Sequence, residues 1–249
     1  MIFKWSENFW QVLLAALVCY LIGCLNAALF ISRAKHRDIR KMGSGNPGTM
    51  NVSRELGWRA GLLTFCGDAL KAGIPVVIAY FVFRNQVFEQ TSVAVSDFMR
   101  YFCGFFVVLG HVFPITMRFK GGKGIASTFG LFWGALAVEN AWWILGMFAL
   151  FMGVLLFIYF TEWGGLGSLF GVSTFSVIQL LYFHSRYAKT PLNAELVCLF
   201  CLILAINIIT WLAHYKNLRR LFSGEEHKTS LKLIVNKTKK LKEEKNQTK

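Results

Sequence analysis

Charge is scarce in this chain. Only 16% of its 249 residues are Asp, Glu, Lys or Arg, while 55% are hydrophobic. Soluble domains carry roughly 25% charged residues, so a soluble globular domain is excluded and an integral membrane protein of one compact helical unit is expected. Acidic residues are scarcer still, 13 against 27 basic ones, for a formal charge of +14. That excess does not mark a nucleic-acid binder, because the lysines and arginines gather beside hydrophobic runs, as membrane topology demands. Also missing is any His/Cys cluster. Cys198 and Cys201 have redox or metal spacing but stand alone, and all six cysteines fall within apolar runs. Neither a metal site nor a disulfide is expected. No small-residue cleavage site is apparent after the first apolar run, so with Lys4, Trp5 and Trp10 it reads as an uncleaved span with an aromatic interfacial anchor. No internal repeat or second globular domain is evident.

Seven hydrophobic runs can be drawn, over about 11–31, 60–83, 98–117, 124–140, 141–160, 163–183 and 194–213. The fourth is short and glycine-bearing, and a re-entrant segment is the alternative to a crossing there. Seven crossings put the termini on opposite sides. Residues 32–59, the turn with Arg118, Lys120 and Lys123, and the tail from His214 then share one face, which holds 21 lysines and arginines against 5 on the other. The positive-inside rule makes that face cytosolic. The expected fold is an all-α integral membrane protein with seven transmembrane helices, N-terminus outside and C-terminus cytosolic. Residues 1–222 form its membrane domain, and 223–249 a basic, solvated cytosolic tail with a short apolar stretch at Leu231, Leu233, Ile234 and Val235.

Two glycine-rich loops fall on the cytosolic face: Gly43-Ser44-Gly45-Asn46-Pro47-Gly48 and Phe119-Lys120-Gly121-Gly122-Lys123-Gly124. The first matches G-x-G-x-x-G in spacing but lacks the βαβ context of a dinucleotide fingerprint, and the second lacks P-loop spacing. What remains is a pair of turns that let backbone N–H groups approach an anion, with Arg54, Lys120 and Lys123 as charge partners. Taken singly, each loop is equally a tight turn with interfacial lysines. Together, at a membrane surface, they suit phosphate held beside lipid. Asp68 and Lys71 lie within a span at i,i+3 spacing, where charge is expensive unless paired; a structural ion pair is expected.

In order and spacing, the blocks Gly43-Ser44-Gly45-Asn46-x-Gly48-x-x-Asn51-Val52-x-Arg54, Asp68-x-x-Lys71, Gly110-His111-Val112-Phe113-Pro114 with Lys120-Gly121-Gly122-Lys123-Gly124, and His214-x-x-Asn217 resemble those of the PlsY-type acyl-phosphate:glycerol-3-phosphate acyltransferases. The resemblance runs nearly to residue 227. It implies transfer of a fatty acyl group from acyl phosphate to the 1-hydroxyl of glycerol 3-phosphate at a bacterial plasma membrane, with the site facing the cytosol. It also implies a monomer with no cofactor or metal, whose partners are the two substrates and membrane lipid. By the same resemblance, Arg54, Lys120, His214 and Asn217 are the catalytic candidates. Ser44, Gly45, Asn46, Gly48, Asn51, His111, Gly121, Gly122, Lys123 and Ser168 are the binding candidates. Three positions depart from the family pattern. Thr49-Met50 displaces a hydroxyl by one position, Gly165 replaces the first serine of a third motif that keeps Ser168, and Cys24 stands where serine is usual. An anion transporter and an inactive, family-related membrane scaffold are the rival expectations.

Overall fold

The computed structural model describes residues 1–89, 91–226 and 228–229. In lipid every backbone polar group must be satisfied within its own segment, and the apolar runs accordingly fold as helices. They are α1 (Trp5–Cys24), α2 (Ala27–Arg33), α3 (Thr49–Leu56), α4 (Trp58–Phe83), α5 (Val95–Val112), α6 (Ile125–Ala137), α7 (Trp142–Thr161), α8 (Gly164–Arg186), α9 (Ala194–Ala213) and α10 (Tyr215–Phe222). Strands β1 (Ile2–Phe3) and β2 (Val87–Phe88) pair in parallel and clip the N-terminus to the α4–α5 loop.

Among the described residues, six segments are long and apolar enough to cross a membrane: Trp5–Arg33, Trp58–Phe83, Val95–Met117, Trp142–Thr161, Gly164–Arg186 and Ala194–Ala213. The fourth of the seven expected runs forms only the 13-residue helix α6. The first begins at Trp5 rather than at residue 11 and is not continuous. It breaks at Leu25–Asn26, where Asn26 caps α2 by accepting from the Leu29 amide at 3.0 Å.

Helix α5 is the most enclosed, packed by α1, α4, α6 and α9. Small residues permit the close crossings. A Cβ on Gly110 of α5 would lie 2.2 Å from the Tyr20 carbonyl of α1, and one on Gly130 of α6 would lie 2.0 Å from the Ala69 carbonyl of α4. Helix α8 packs on α6, α7 and α9, while α7 sits at the periphery. Of the cysteines, Cys19, Cys24 and Cys103 are buried, whereas Cys66, Cys198 and Cys201 are exposed on helix surfaces; all six are free thiols. Burial therefore does not extend to every cysteine in an apolar run.

Two ionic clusters brace the bundle. At one end, fully buried Arg100 donates to Asp97 Oδ1 (2.6 Å), Glu139 Oε1 (2.5 Å) and the Ala135 carbonyl (2.6 Å). Arg186 joins from α8 through Asp97 Oδ2 (3.0 Å) and Glu139 Oε2 (2.8 Å). The other cluster is the expected pair: Lys71 Nζ lies 2.9 Å from Asp68 Oδ1. Lys71 also donates to the carbonyls of Gly23 (3.2 Å) and Leu25 (2.5 Å) and lies 2.8 Å from His111 Nδ1. The Ala27 amide donates to Asp68 Oδ1 at 3.4 Å. The pair thus stitches the break in the first span, capping the carbonyls of α1 and the amide end of α2 from α4.

Candidate active site

The first glycine loop is organised from inside by Asn51. Its side-chain oxygen accepts from the Ser44 amide (3.0 Å), and its nitrogen donates to the carbonyls of Ile39 (3.3 Å) and Met42 (3.0 Å). Gly43 follows that fit, since at φ +54° its Cβ would stand 2.4 Å from Asn51 Oδ1. Asn26, at the break in the first span, donates to the Pro47 carbonyl at 3.0 Å and hangs the loop from the membrane helix. Helix α3 then starts at Thr49 and carries Arg54 in its last turn, with the guanidinium 3.4 Å from Thr229 Oγ1.

The glycine-lysine loop folds back on the end of α5. The Gly121 amide donates to the Val112 carbonyl (3.0 Å) and the Gly122 amide to the His111 carbonyl (3.1 Å). A Cβ on Gly122 would lie 2.2 Å from His111 Nε2, so only glycine fits. His111 is buried between this loop and Lys71. Lys123 emerges beside the end of α9 and donates to Asn217 Oδ1 of α10. Helix α9 is held there by α8, through Asn207 Nδ2 to Ser176 Oγ (3.0 Å) and Trp211 Nε1 to Ser173 Oγ (3.0 Å).

His214 links α9 to α10 and is buried. Its Nδ1 lies 2.7 Å from the Thr210 carbonyl, which can only accept, so Nδ1 carries the proton and Nε2 keeps a free lone pair. Burial pushes this imidazole down to about 4, and the Lys123 charge adds to the effect. Burial likewise lowers Lys123 to about 8 against the pull of Glu226, with Arg220 and Arg54 adding to the fall. Glu226 accepts from Asn217 Nδ2 (2.5 Å) and Arg220 Nε (2.9 Å). Beside it is a slot lined by Trp163, Gly165, Leu169, Asn217, Leu218 and Glu226. Leu218 also lines an outward-facing groove of about 310 Å³ along Ile208, Trp211, Leu212 and Tyr215.

Of the sequence candidates, the structure brings Arg54, Lys123, His214 and Asn217 into one polar cluster, with the Gly165 backbone alongside. Lys120 is exposed, and its side chain makes no hydrogen bond or ion pair among the described residues. Ser44 is exposed, Asn46 half-buried, and Gly45 and Gly48 form turns; none of the four is seen to touch the cluster. Ser168 donates to the Gly164 carbonyl of its own helix at 2.7 Å. Sequence reasoning missed Arg220 and Glu226. Arg220 was within reach, since it follows Asn217 by three residues on one helix face. Glu226 was not, because nothing local shows a tail residue turning back. Glu226 and Thr229 of the tail pack here, while the apolar stretch at 231–235 lies outside the described residues.

A family model described as glycerol-3-phosphate acyltransferase matches residues 13–224. A glycerol-3-phosphate acyltransferase from Thermoanaerobacter sp. (strain X514) is 34% identical over 223 residues, covering 89% of this chain and 98% of the relative. One from Geobacter sulfurreducens is 34% identical over 216 residues, covering 87% and 96%. The crystal structure of PlsY (YgiH), an integral membrane glycerol 3-phosphate acyltransferase in its glycerol 3-phosphate form, superposes with a TM-score of 0.70 at 26% identity, covering 88% of this chain and 95% of that one. Its lysophosphatidic acid form gives the same TM-score at 25% identity, covering 90% and 98%.

Proposed function

Because the chain belongs to the glycerol-3-phosphate acyltransferase family, we propose that it moves a fatty acyl group from acyl phosphate to the 1-hydroxyl of glycerol 3-phosphate. The observation that carries the reading is the convergence of Arg54, Lys123, Asn217 and Arg220, from three separated stretches of chain, beside a slot that shares Leu218 with an apolar groove. Cations and an amide suit a phosphate, and the groove suits an acyl chain.

An acyl phosphate is a mixed anhydride with a good leaving group, so no enzyme nucleophile is required. The hydroxyl oxygen attacks the carbonyl carbon, the new ester C–O bond forms, and the bond to phosphate breaks. Arg54, Lys123 and Arg220 stabilise negative charge on the phosphate and carbonyl oxygens. Placing the hydroxyl against the carbonyl supplies up to roughly 7–11 kcal/mol in well-oriented cases. Burial makes His214 a weak base, so it competes poorly with the departing phosphate for the hydroxyl proton. The proton therefore leaves on phosphate. His214 Nε2 accepts a hydrogen bond from the hydroxyl and aims it. Lys120, exposed on the same loop, makes first contact with the anionic substrates.

The same reading takes α6 as a seventh crossing, with the N-terminus outside, the C-terminus cytosolic and the site on the cytosolic face of a plasma membrane. Thirteen residues rise only roughly 20 Å. Yet α6 starts beside the Gly122–His111 contact at one end of α5 and reaches Arg100 near the other, through Ala135 and Glu139. It runs antiparallel to α5 over the same depth, enclosed by helices rather than lipid. The 21-to-5 charge bias supports the orientation.

The test is purified protein given acyl phosphate and glycerol 3-phosphate, with acyl-CoA as a competing donor. Lysophosphatidate and phosphate should form in equal amounts; product from acyl-CoA alone would refute the donor. Reporters after Lys249 and in the 84–94 loop should fall on opposite sides, and the same side for both would refute the topology.

A further inference from the structure

Glu226 lies two residues beyond the stretch that the family model matches, yet it stands inside the cation cluster. A carboxylate beside a phosphate site looks adverse, since it repels the substrate. Its hydrogen bonds give the reason for its presence. An asparagine side chain can face either way round, and its neighbours decide which end points where. Here Asn217 Nδ2 donates to Glu226 Oε1 at 2.5 Å, and the opposite end of the same amide, Oδ1, accepts from Lys123. A carboxylate only accepts and an ammonium only donates, so the two ends are fixed without ambiguity. The second oxygen of Glu226 takes the Arg220 Nε at 2.9 Å. Three residues on, the Thr229 amide donates to the Glu162 carbonyl at 2.6 Å.

We propose that Glu226 is a positioning residue of the active site: it orients the Asn217 amide toward Lys123 and anchors Arg220, so that the cations stand ready for phosphate. The role rests on the reading of this cluster as the phosphate site. Buried cations packed together repel one another and lose charge, and Glu226 opposes both effects. Lys123 is faced by Arg54 from α3, His214 from the end of α9, Arg220 and Asn217 from α10, and Glu226 from the returning tail. Glu55 bears on Arg54. Among these groups Glu226 is the anion that pulls the Lys123 proton on, so its loss makes Lys123 neutral at lower pH.

The experiment compares full-length wild type with Glu226→Gln, Glu226→Asp and, as control, Glu225→Gln at the exposed neighbour. Two quantities are followed from pH 6 to 10. One is the rate at which an amine-acylating reagent modifies Lys123, read by mass spectrometry; the other is the KM for glycerol 3-phosphate. Glu226→Gln should move the Lys123 midpoint down by about one pH unit, and the alkaline rise in KM should move with it. Glu226→Asp should keep most of the wild-type midpoint, and Glu225→Gln all of it. An unmoved midpoint in Glu226→Gln, or an equal shift in Glu225→Gln, would overturn the proposal. A moved midpoint in protein that transfers no acyl group to glycerol 3-phosphate would support the hold on Lys123 and remove the substrate assignment instead.

Discussion

Replacing Lys71 by methionine removes the cation at the break in the first span while keeping the length of the stem. In the intact protein Lys71 pairs with Asp68 and donates to the carbonyls of Gly23 and Leu25. Without it Asp68, 1% exposed, keeps only a 3.4 Å contact to the Ala27 amide and His111 at 3.6 Å. Breaking a buried pair by removing one partner costs about 3–5 kcal/mol. For a chain of this size each kcal/mol is worth about 2–4 °C. Thermal unfolding in detergent should therefore fall by roughly 6–20 °C in Lys71→Met. The double variant Asp68→Asn/Lys71→Met has no stranded carboxylate and should regain more than half of the loss. A fall under about 2 °C, or a double variant no more stable than the single, would show that the ion pair does not hold the break.

Other outcomes follow from the cluster and its loops. Lys123→Ala should lower kcat/KM for glycerol 3-phosphate about 10- to 100-fold, the worth of a charge-assisted contact of about 1.5–3 kcal/mol, and Lys120→Ala, at an exposed site, should lower it less; the reverse order would exchange their roles. Gly122→Ala must push His111 away, because its Cβ would sit 2.2 Å from Nε2, and should abolish transfer; a variant with wild-type rates would refute the close packing. His214 is held near 4 in the fold against 6.5 as its ordinary value, so between those values the unfolded chain binds the extra proton and stability rises with pH. Unfolding temperature should thus drop as pH falls from 6.5 to 4, and His214→Gln should flatten that drop; an unchanged slope would refute it.

Much of this was readable in the residues. The run drawn at 194–213 is helix α9, because Asn193 caps it with a 2.9 Å bond to the Leu196 amide and polar residues flank it. The first span was misread as continuous because hydropathy is blind to backbone direction. Its one local sign was Asn26, a good N-cap before Ala27. The motif residues Arg54, Lys123, His214 and Asn217 were legible as types and spacings, but their meeting depends on how α3, α5 and α10 pack. Lys120 and Lys123 are equivalent in sequence and separate only when the loop folds back on α5. Glu226 lies in a stretch whose composition reads as solvated tail, and only the turn after α10 brings it inward.

The break at Leu25–Asn26 couples a lipid-length helix to the first glycine loop. The first span presents Trp10, Leu13, Leu14, Leu17 and Leu21 on its exposed surface, while its tilt is set by packing on α5. Just past the break, one amide of Asn26 carries the Pro47 carbonyl, and with it the loop leading into α3 and Arg54. Because α1 packs closely on α5 and Lys71 pins the break, that loop is held in one frame with the end of α5 that carries the glycine-lysine loop. One lysine thus keeps both glycine loops in a common frame, through the broken span on one side and His111 on the other.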